Sequence, residues 1–331
     1  MARMPEDLRK ILQKQEDDID KLLTETKNKF YEVARKNSTN PNRLAEMASY
    51  IMLSFITAYT YILTQTNLKV VQAAGKKSKS ELNSMLYRIG IKNNVLVAQF
   101  NKEVNGIISK YGVKAILKRK IGKNTIEYHI KTIYNGSVKT VRNIVAVGVS
   151  KGKSAIDIAK QIEQYIRPTE RLTRISPFEW YRKRFASYKV KNLKQIPPGS
   201  VSYNAFRIAR SETARTYQDY LVKMNQDKPW VYGFKWNLSA SHPFPDICDV
   251  WAEKDYGMGA GVYNADNLPI DHPNGMCYVT TVQVAPKDFK NYLKTGKKPY
   301  KPKFKGKVPD LDDWNKAKKG TSPQSAIRKL K

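Results

Sequence analysis

From the sixth residue onward, apolar side chains return at intervals of three and four: Leu8, Ile11, Leu12, Ile19, Leu22, Leu23, Phe30 and Val33. That spacing stacks them on one face and predicts a helix over 6–35, with Pro5 suited to its first turn. The stretch "NSTNPNR" at 37–43 breaks the pattern, and Asn40 or Asn42 can cap a second helix running from about Pro41 to Ala74. A basic turn, "AGKKSKS", is expected at 74–80. Helical spacing then resumes over 80–111, through Leu82, Met85, Leu86, Ile89, Phe100, Val104 and Ile108. Residues 112–135 fit either a helix or a break followed by a short strand. His129 lies alone there among apolar and basic residues, and no role is assigned to it.

Two patterns in the middle of the chain invite chemistry. Gly152-Lys153-Ser154 resembles the end of a phosphate-binding loop, but that motif needs a glycine where Val147 stands, and Gly148 is one residue off. The alternative is that Ser154 caps a helix, with Asp157 three residues on and Ile156, Ile158, Ala159 and Ile162 forming its apolar face. Residues 167–200 are basic, aromatic and punctuated by proline, and predict a connector with short helices. There Trp180, Tyr181, Phe185 and Tyr188 interleave with Arg182, Lys183, Arg184 and Lys189, a composition that suits nucleic-acid stacking or a helix interface.

Beyond Ser202 the period changes. "YNAFRIARSETARTYQDYLVKMN" predicts a helix, "WVYGFKWNLSA" alternates like a strand, and "CYVTTVQV" predicts a second strand. The fold class expected is therefore α+β: a mainly helical N-terminal half with long helices, a small α+β C-terminal domain and a flexible basic tail. The boundaries that follow are 1–200, 201–286 and 287–331.

Charge sharpens this picture. The 331 residues hold 60 basic and 29 acidic side chains, a net charge of +31. Residues 1–35 are neutral, with eight of each sign, so the excess lies further on. Residues 287–331 alone carry fifteen basic and four acidic groups. Self-repulsion at this density favours a polyanionic partner, with nucleic acid first and an anionic membrane surface second. The candidate phosphate contacts are Arg182, Lys183, Arg184, Lys297, Lys298, Lys301, Lys303, Lys305 and Lys307. The uncharged stretch from Met47 to Leu68 is long enough to span a bilayer. Its Ser, Thr, Gln, Asn and Tyr content instead points to a buried helix, so a membrane is not the expected partner. No secretory leader is visible, and two cysteines make no disulfide framework, which points to a reducing, intracellular setting.

Both cysteines and two of the three histidines fall between His242 and Cys277. His242, Cys248, His272 and Cys277 form a chemically reasonable zinc tetrad, with Asp246 as a substitute oxygen ligand. The paired-knuckle spacing of structural zinc sites is missing, since Trp251 stands where a second cysteine would complete it. Asp249, Glu253 and Asp271 are candidates for a general base, though none has a diagnostic spacing. The competing reading is two docked turns, in which Asp246 bonds a backbone N–H and the cysteines pack as small apolar residues.

The order of these features has a counterpart. Ala209-Arg210-Ser211-Glu212 in a helix, a strand with Trp236, then Asp246-x-Cys248, then Pro269 before His272-Pro273-Asn274 and Cys277, resembles the C-terminal domain of phage minor head proteins of the phage Mu F type, over roughly residues 202–285. Many members of that family carry cysteines where Trp251 and Gly275 stand here. The resemblance implies a non-enzymatic protein inside the virion capsid, made in the host cytoplasm and set near the portal protein. It would assist head assembly alongside capsid or scaffolding protein, and bind double-stranded DNA without sequence preference up to or through ejection. The apolar stripe of the first helix is where a protein partner is expected. Three other functions compete: a zinc-dependent nucleic-acid hydrolase, a membrane-active ejection protein using 47–68, and an ADP-ribosyltransferase-like site at Arg210, Ser211 and Glu212.

Overall fold

The computed structural model describes residues 4–111, 113–121, 124–166, 200–239, 242, 245–272, 275 and 277–331. In chain order the elements are α1 (Glu6–Lys36), α2 (Arg43–Arg88), α3 (Asn94–Ser109), α4 (Val113–Leu117), β1 (Lys120–Ile121), β2 (Asn124–Thr125), α5 (Ile126–Ser150) and α6 (Ala155–Ile166). There follow α7 (Val201–Asn225), β3 (Val231–Asn237), α8 (Ile247–Glu253), β4 (Val262–Tyr263), β5 (Tyr278–Gln283), α9 (Pro286–Thr295), α10 (Leu311–Lys318) and α11 (Pro323–Leu330). The fold is α+β and mainly helical. Its three-stranded antiparallel sheet, in the order β4-β3-β5, lies in the C-terminal half.

The described residues fall into two compact units that interleave along the chain. One is built from 1–10, 67–111 and 210–331, the other from 11–66 and 112–209. This differs from the sequential division at 200 and 286 that composition suggests. The reason is that α1, α2 and α7 each contribute residues to both units.

In the second unit the stripe of α1 is covered in part by the chain itself. Ile19, Leu23, Phe30 and Ala34 are buried, while Ile11, Leu22 and Val33 of the same stripe are half-buried. Buried Ala48, Met52, Phe55, Tyr59 and Leu63 of α2 add to this core, and the Tyr59 hydroxyl donates to the Ala205 carbonyl at 2.8 Å. By length and composition alone α2 could cross a membrane. One of its faces is apolar and buried, while Tyr50, Leu53 and Tyr61 stand exposed on the other. Glu163 of α6 takes the Lys27 ammonium at 2.7 Å and the Tyr31 hydroxyl at 2.6 Å. The capping reading of Ser154 holds. Its hydroxyl accepts the Asp157 N–H at 3.2 Å and donates to the Asp157 carboxylate at 2.7 Å. Gly148 serves helix contact rather than phosphate: a Cβ there would meet Ile158 Cγ1 at 2.5 Å.

In the first unit the expected turn at 74–80 does not form, and α2 continues through it to Arg88. Ser78 turns its hydroxyl back to the Ala74 carbonyl and accepts from Asn225 Nδ2 at 2.7 Å. Gly75 leaves room for Val104 and Ile108 of α3. Helix-compatible lysines and a tertiary contact outweigh the local turn signal. The strands form where their alternation predicts, with β3 central. Trp230, Phe234 and Trp236 are buried, and Trp230 meets Phe100 edge-on at 5.0 Å.

The tail is the main correction. Residues 287–331 form α9, α10 and α11 and pack. Phe289, Trp314, Ala326 and Ile327 are buried. Trp251 Nε1 donates to the Pro309 carbonyl at 2.8 Å, Phe304 stacks on Tyr256, and the Lys305 N–H bonds the Tyr256 carbonyl. A few aromatic anchors, well spaced among lysines, suffice to fix a segment whose average composition looks unstructured.

Candidate functional site

Two loops of the first unit meet around one carboxylate. Asp246 is the N-cap of α8: its Oδ1 accepts the Cys248 N–H at 2.7 Å, and Asp249 Oδ2 accepts the Asp246 N–H at 2.8 Å, closing a capping box. This fixes Asp246 and Cys248 on the rim of α8. The second loop descends from Pro269, whose carbonyl is tied to Gln218 Nε2 of α7 at 2.8 Å, and it delivers Asp271 and His272. His272 Nε2 then lies 3.1 Å from Asp246 Oδ2, so the two turns dock as the sequence suggests.

The four residues of the zinc tetrad are all in this neighbourhood, but they do not form one ligand set. His242 Nε2 faces Asp249 Oδ2 at 2.9 Å, and its Nδ1 lies 3.9 Å from Cys277 Sγ. Two sets of atoms converge within 4.8 Å of one another among the described residues: those of Asp246, Cys248 and His272, and those of His242, Asp246 and Asp249. Asp271 Oδ1 is 3.8 Å from Cys248 Sγ and 3.9 Å from His272 Nε2. Both cysteines are free thiols and both are buried.

Burial and charge pull the titrations apart. Burial pushes Asp271 up to about 8 and raises the Cys248 thiol well above its ordinary value. For His242, burial opposes the imidazolium, but bonds to Asp249 and Cys277 outweigh it and lift the ring to about 10. The Cys277 thiol is brought down to about 6 by its hydrogen bond with Cys248 and then by His242, against the effect of burial. Asp246 is held low: its bond to His272 and the charge of both rings overcome desolvation. Within the cluster the Asp271 side chain is 5% exposed and Cys248 is fully buried, while Asp246 and His272 keep 27% and 22% of their side chains exposed. It can hold charge and two loops. Arg210 and Glu212 are likewise buried in α7.

The basic candidates divide. Arg182, Lys183 and Arg184 lie outside the described residues. Lys297, Lys298, Lys301, Lys303, Lys305 and Lys307 are all exposed. Between Tyr300 and Lys305 the chain alternates, with the lysines at 301, 303 and 305 outward and Pro302 and Phe304 half-buried. The stacking of Phe304 on Tyr256, with ring centroids 4.8 Å apart, fixes which side faces solvent. The sequence names these lysines but does not show that an anchored backbone presents them. The only signal for that was the lone Phe304 in "KPKFKGK". No protein-family model, curated protein or solved structure matches this chain.

Proposed function

We propose that this protein is a structural, double-stranded-DNA-binding component of a phage head, akin to the Mu F-type minor head proteins. In this role it sits inside the capsid near the portal and holds packaged DNA through its phosphates. The observation that carries the reading is the anchored lysine row from Lys297 to Lys307 on a chain of net charge +31. Alternate residues of an extended segment repeat about every 6.7 Å. Lys301, Lys303 and Lys305, which alternate with half-buried Pro302 and Phe304, would set a short line of ammonium groups against a phosphate backbone. Affinity of this kind is independent of sequence and steeply dependent on salt.

The test is duplex binding by the full chain across a salt series, on two unrelated sequences, beside a variant with Lys297, Lys298, Lys301, Lys303, Lys305 and Lys307 changed to Glu. Equal affinity for both duplexes and a shallower salt slope in the variant are expected, with up to about 0.9 lost per phosphate contact removed. Absence of binding by the wild-type chain at low salt would sink the reading.

A further inference from the structure

We infer that Asp246, Cys248 and His272, completed by Asp271, form the site of one divalent transition-metal ion that cross-links the two docked loops. This stands independently of the DNA-binding reading. The donor types are a thiol, an imidazole and two carboxylates, which suit zinc and exclude the all-oxygen preference of calcium or magnesium. The spacing suits it too. Ligands about 2.0–2.3 Å from a tetrahedral ion stand about 3.3–3.7 Å from one another. Here the donor atoms of Asp246, Cys248 and His272 all lie within 4.8 Å of one another, with Asp246 Oδ2 and His272 Nε2 3.1 Å apart, and the Asp271 carboxylate stands beside them, its Oδ1 3.8 Å from Cys248 Sγ.

A second observation points to a cation rather than a closed hydrogen-bond network. Asp271 Oδ2 is buried and has no hydrogen-bond partner among the described residues. A buried acceptor left unpaired costs free energy whether the group is charged or neutral. The space for this carboxyl group exists because residue 275 is glycine: a Cβ there would fall on the Asp271 carboxyl. The loop therefore gives up a side chain to seat a carboxylate beside Cys248; its Oδ1 accepts the His272 N–H at 2.9 Å and faces Cys248 Sγ at 3.8 Å, which leaves Oδ2 as the unpaired oxygen. His242 and Cys277 act from outside the ligand set. His242 holds Asp249, which takes the Asp246 N–H and so orients the Asp246 ligand. His242 is thus a positioning residue, and this donor set replaces the tetrad His242, Cys248, His272 and Cys277 suggested by residue type.

The experiment is metal analysis of the full chain purified from zinc-supplemented cells, followed by cobalt(II) substitution of the chelated protein. One equivalent of zinc per chain and a cobalt–thiolate charge-transfer band are expected. Cys248→Ser should abolish the band, and Asp271→Asn should weaken zinc binding at least about tenfold. Cys277→Ser and His129→Gln should keep both metal and band. His242→Gln should weaken binding while leaving the band's position unchanged. A chain that takes up neither zinc nor cobalt overturns the inference, as does a band lost in Cys277→Ser but kept in Cys248→Ser. The wild-type result decides the matter even where a variant fails to fold.

Discussion

Two glycines of α5 make opposite demands. Gly148 lies where Ile158 closes on the helix, and an added methyl would meet its Cγ1 at 2.5 Å. Gly136, twelve residues earlier on the same helix, has nothing within 4 Å of the corresponding position. Gly148→Ala should destabilise the protein by about 1–3 kcal/mol through overpacking. Gly136→Ala should stabilise it by about 0.5–1 kcal/mol through helix propensity. Urea unfolding of the pair separates packing from propensity in a single element. Glu81 offers a pH test. Burial raises its pKa despite its bonds to Thr281 and Lys77, so the folded state disfavours its charge. A carboxyl raised on folding contributes stability that is full below its unfolded pKa and is lost as pH rises through the folded value. Glu81→Gln should therefore gain stability over the wild type at pH 8, and the gain should vanish towards pH 4.

At the level of elements, α10 shows how a charged segment becomes fixed. Asp310 accepts the N–H groups of Asp312 and Asp313, Asp313 returns the bond to the Asp310 N–H, and Trp314 is buried one residue on. Asp310→Ala should cost about 0.5–2 kcal/mol, and Trp314→Ala about 3–5 kcal/mol, both read as lowered denaturant midpoints. Truncation after Pro286 should yield an aggregating chain rather than a trimmed one, since it removes Phe289 from Trp230 and Pro309 from Trp251. The cap of α10 was open to inspection in "PDLDDW" but was outvoted by the lysines around it. Elements with a clean period, such as α1, α6 and β3, were legible from spacing alone, because burial of one face dictates that spacing. What spacing does not carry is which partner covers the face. The α1 stripe is covered in part by the chain itself, through Ile19, Leu23 and Phe30. Similarly, Cys248 and His272 were legible as a site by residue type. Asp271 was legible only as one of three unplaced carboxylates, since its role depends on the missing Cβ of Gly275.

On the scale of the whole molecule, charge and fold are separable. The lysines from Lys297 to Lys307 are exposed on a segment held by buried or stacked aromatics, so their charge can be altered without loss of structure. The six-lysine variant should keep the wild-type circular dichroism and unfolding midpoint to within about 0.5 kcal/mol per site while losing DNA affinity. The interleaving of the two units has a further consequence, which concerns timing. The first unit takes residues 1–10 from the beginning of the chain and α11 from its end, with Ala326 and Ile327 buried and Lys254 Nζ bonded to the Leu330 carbonyl. At roughly 5–20 residues per second, translation needs about 15–60 s to travel from one to the other. Leu8, which lines a hollow with Tyr217, Tyr278 and Thr280, therefore waits until those distant residues are made. A nascent chain stalled before residue 323 should remain sensitive to protease in this unit, and release of the final helix should be the event that closes it.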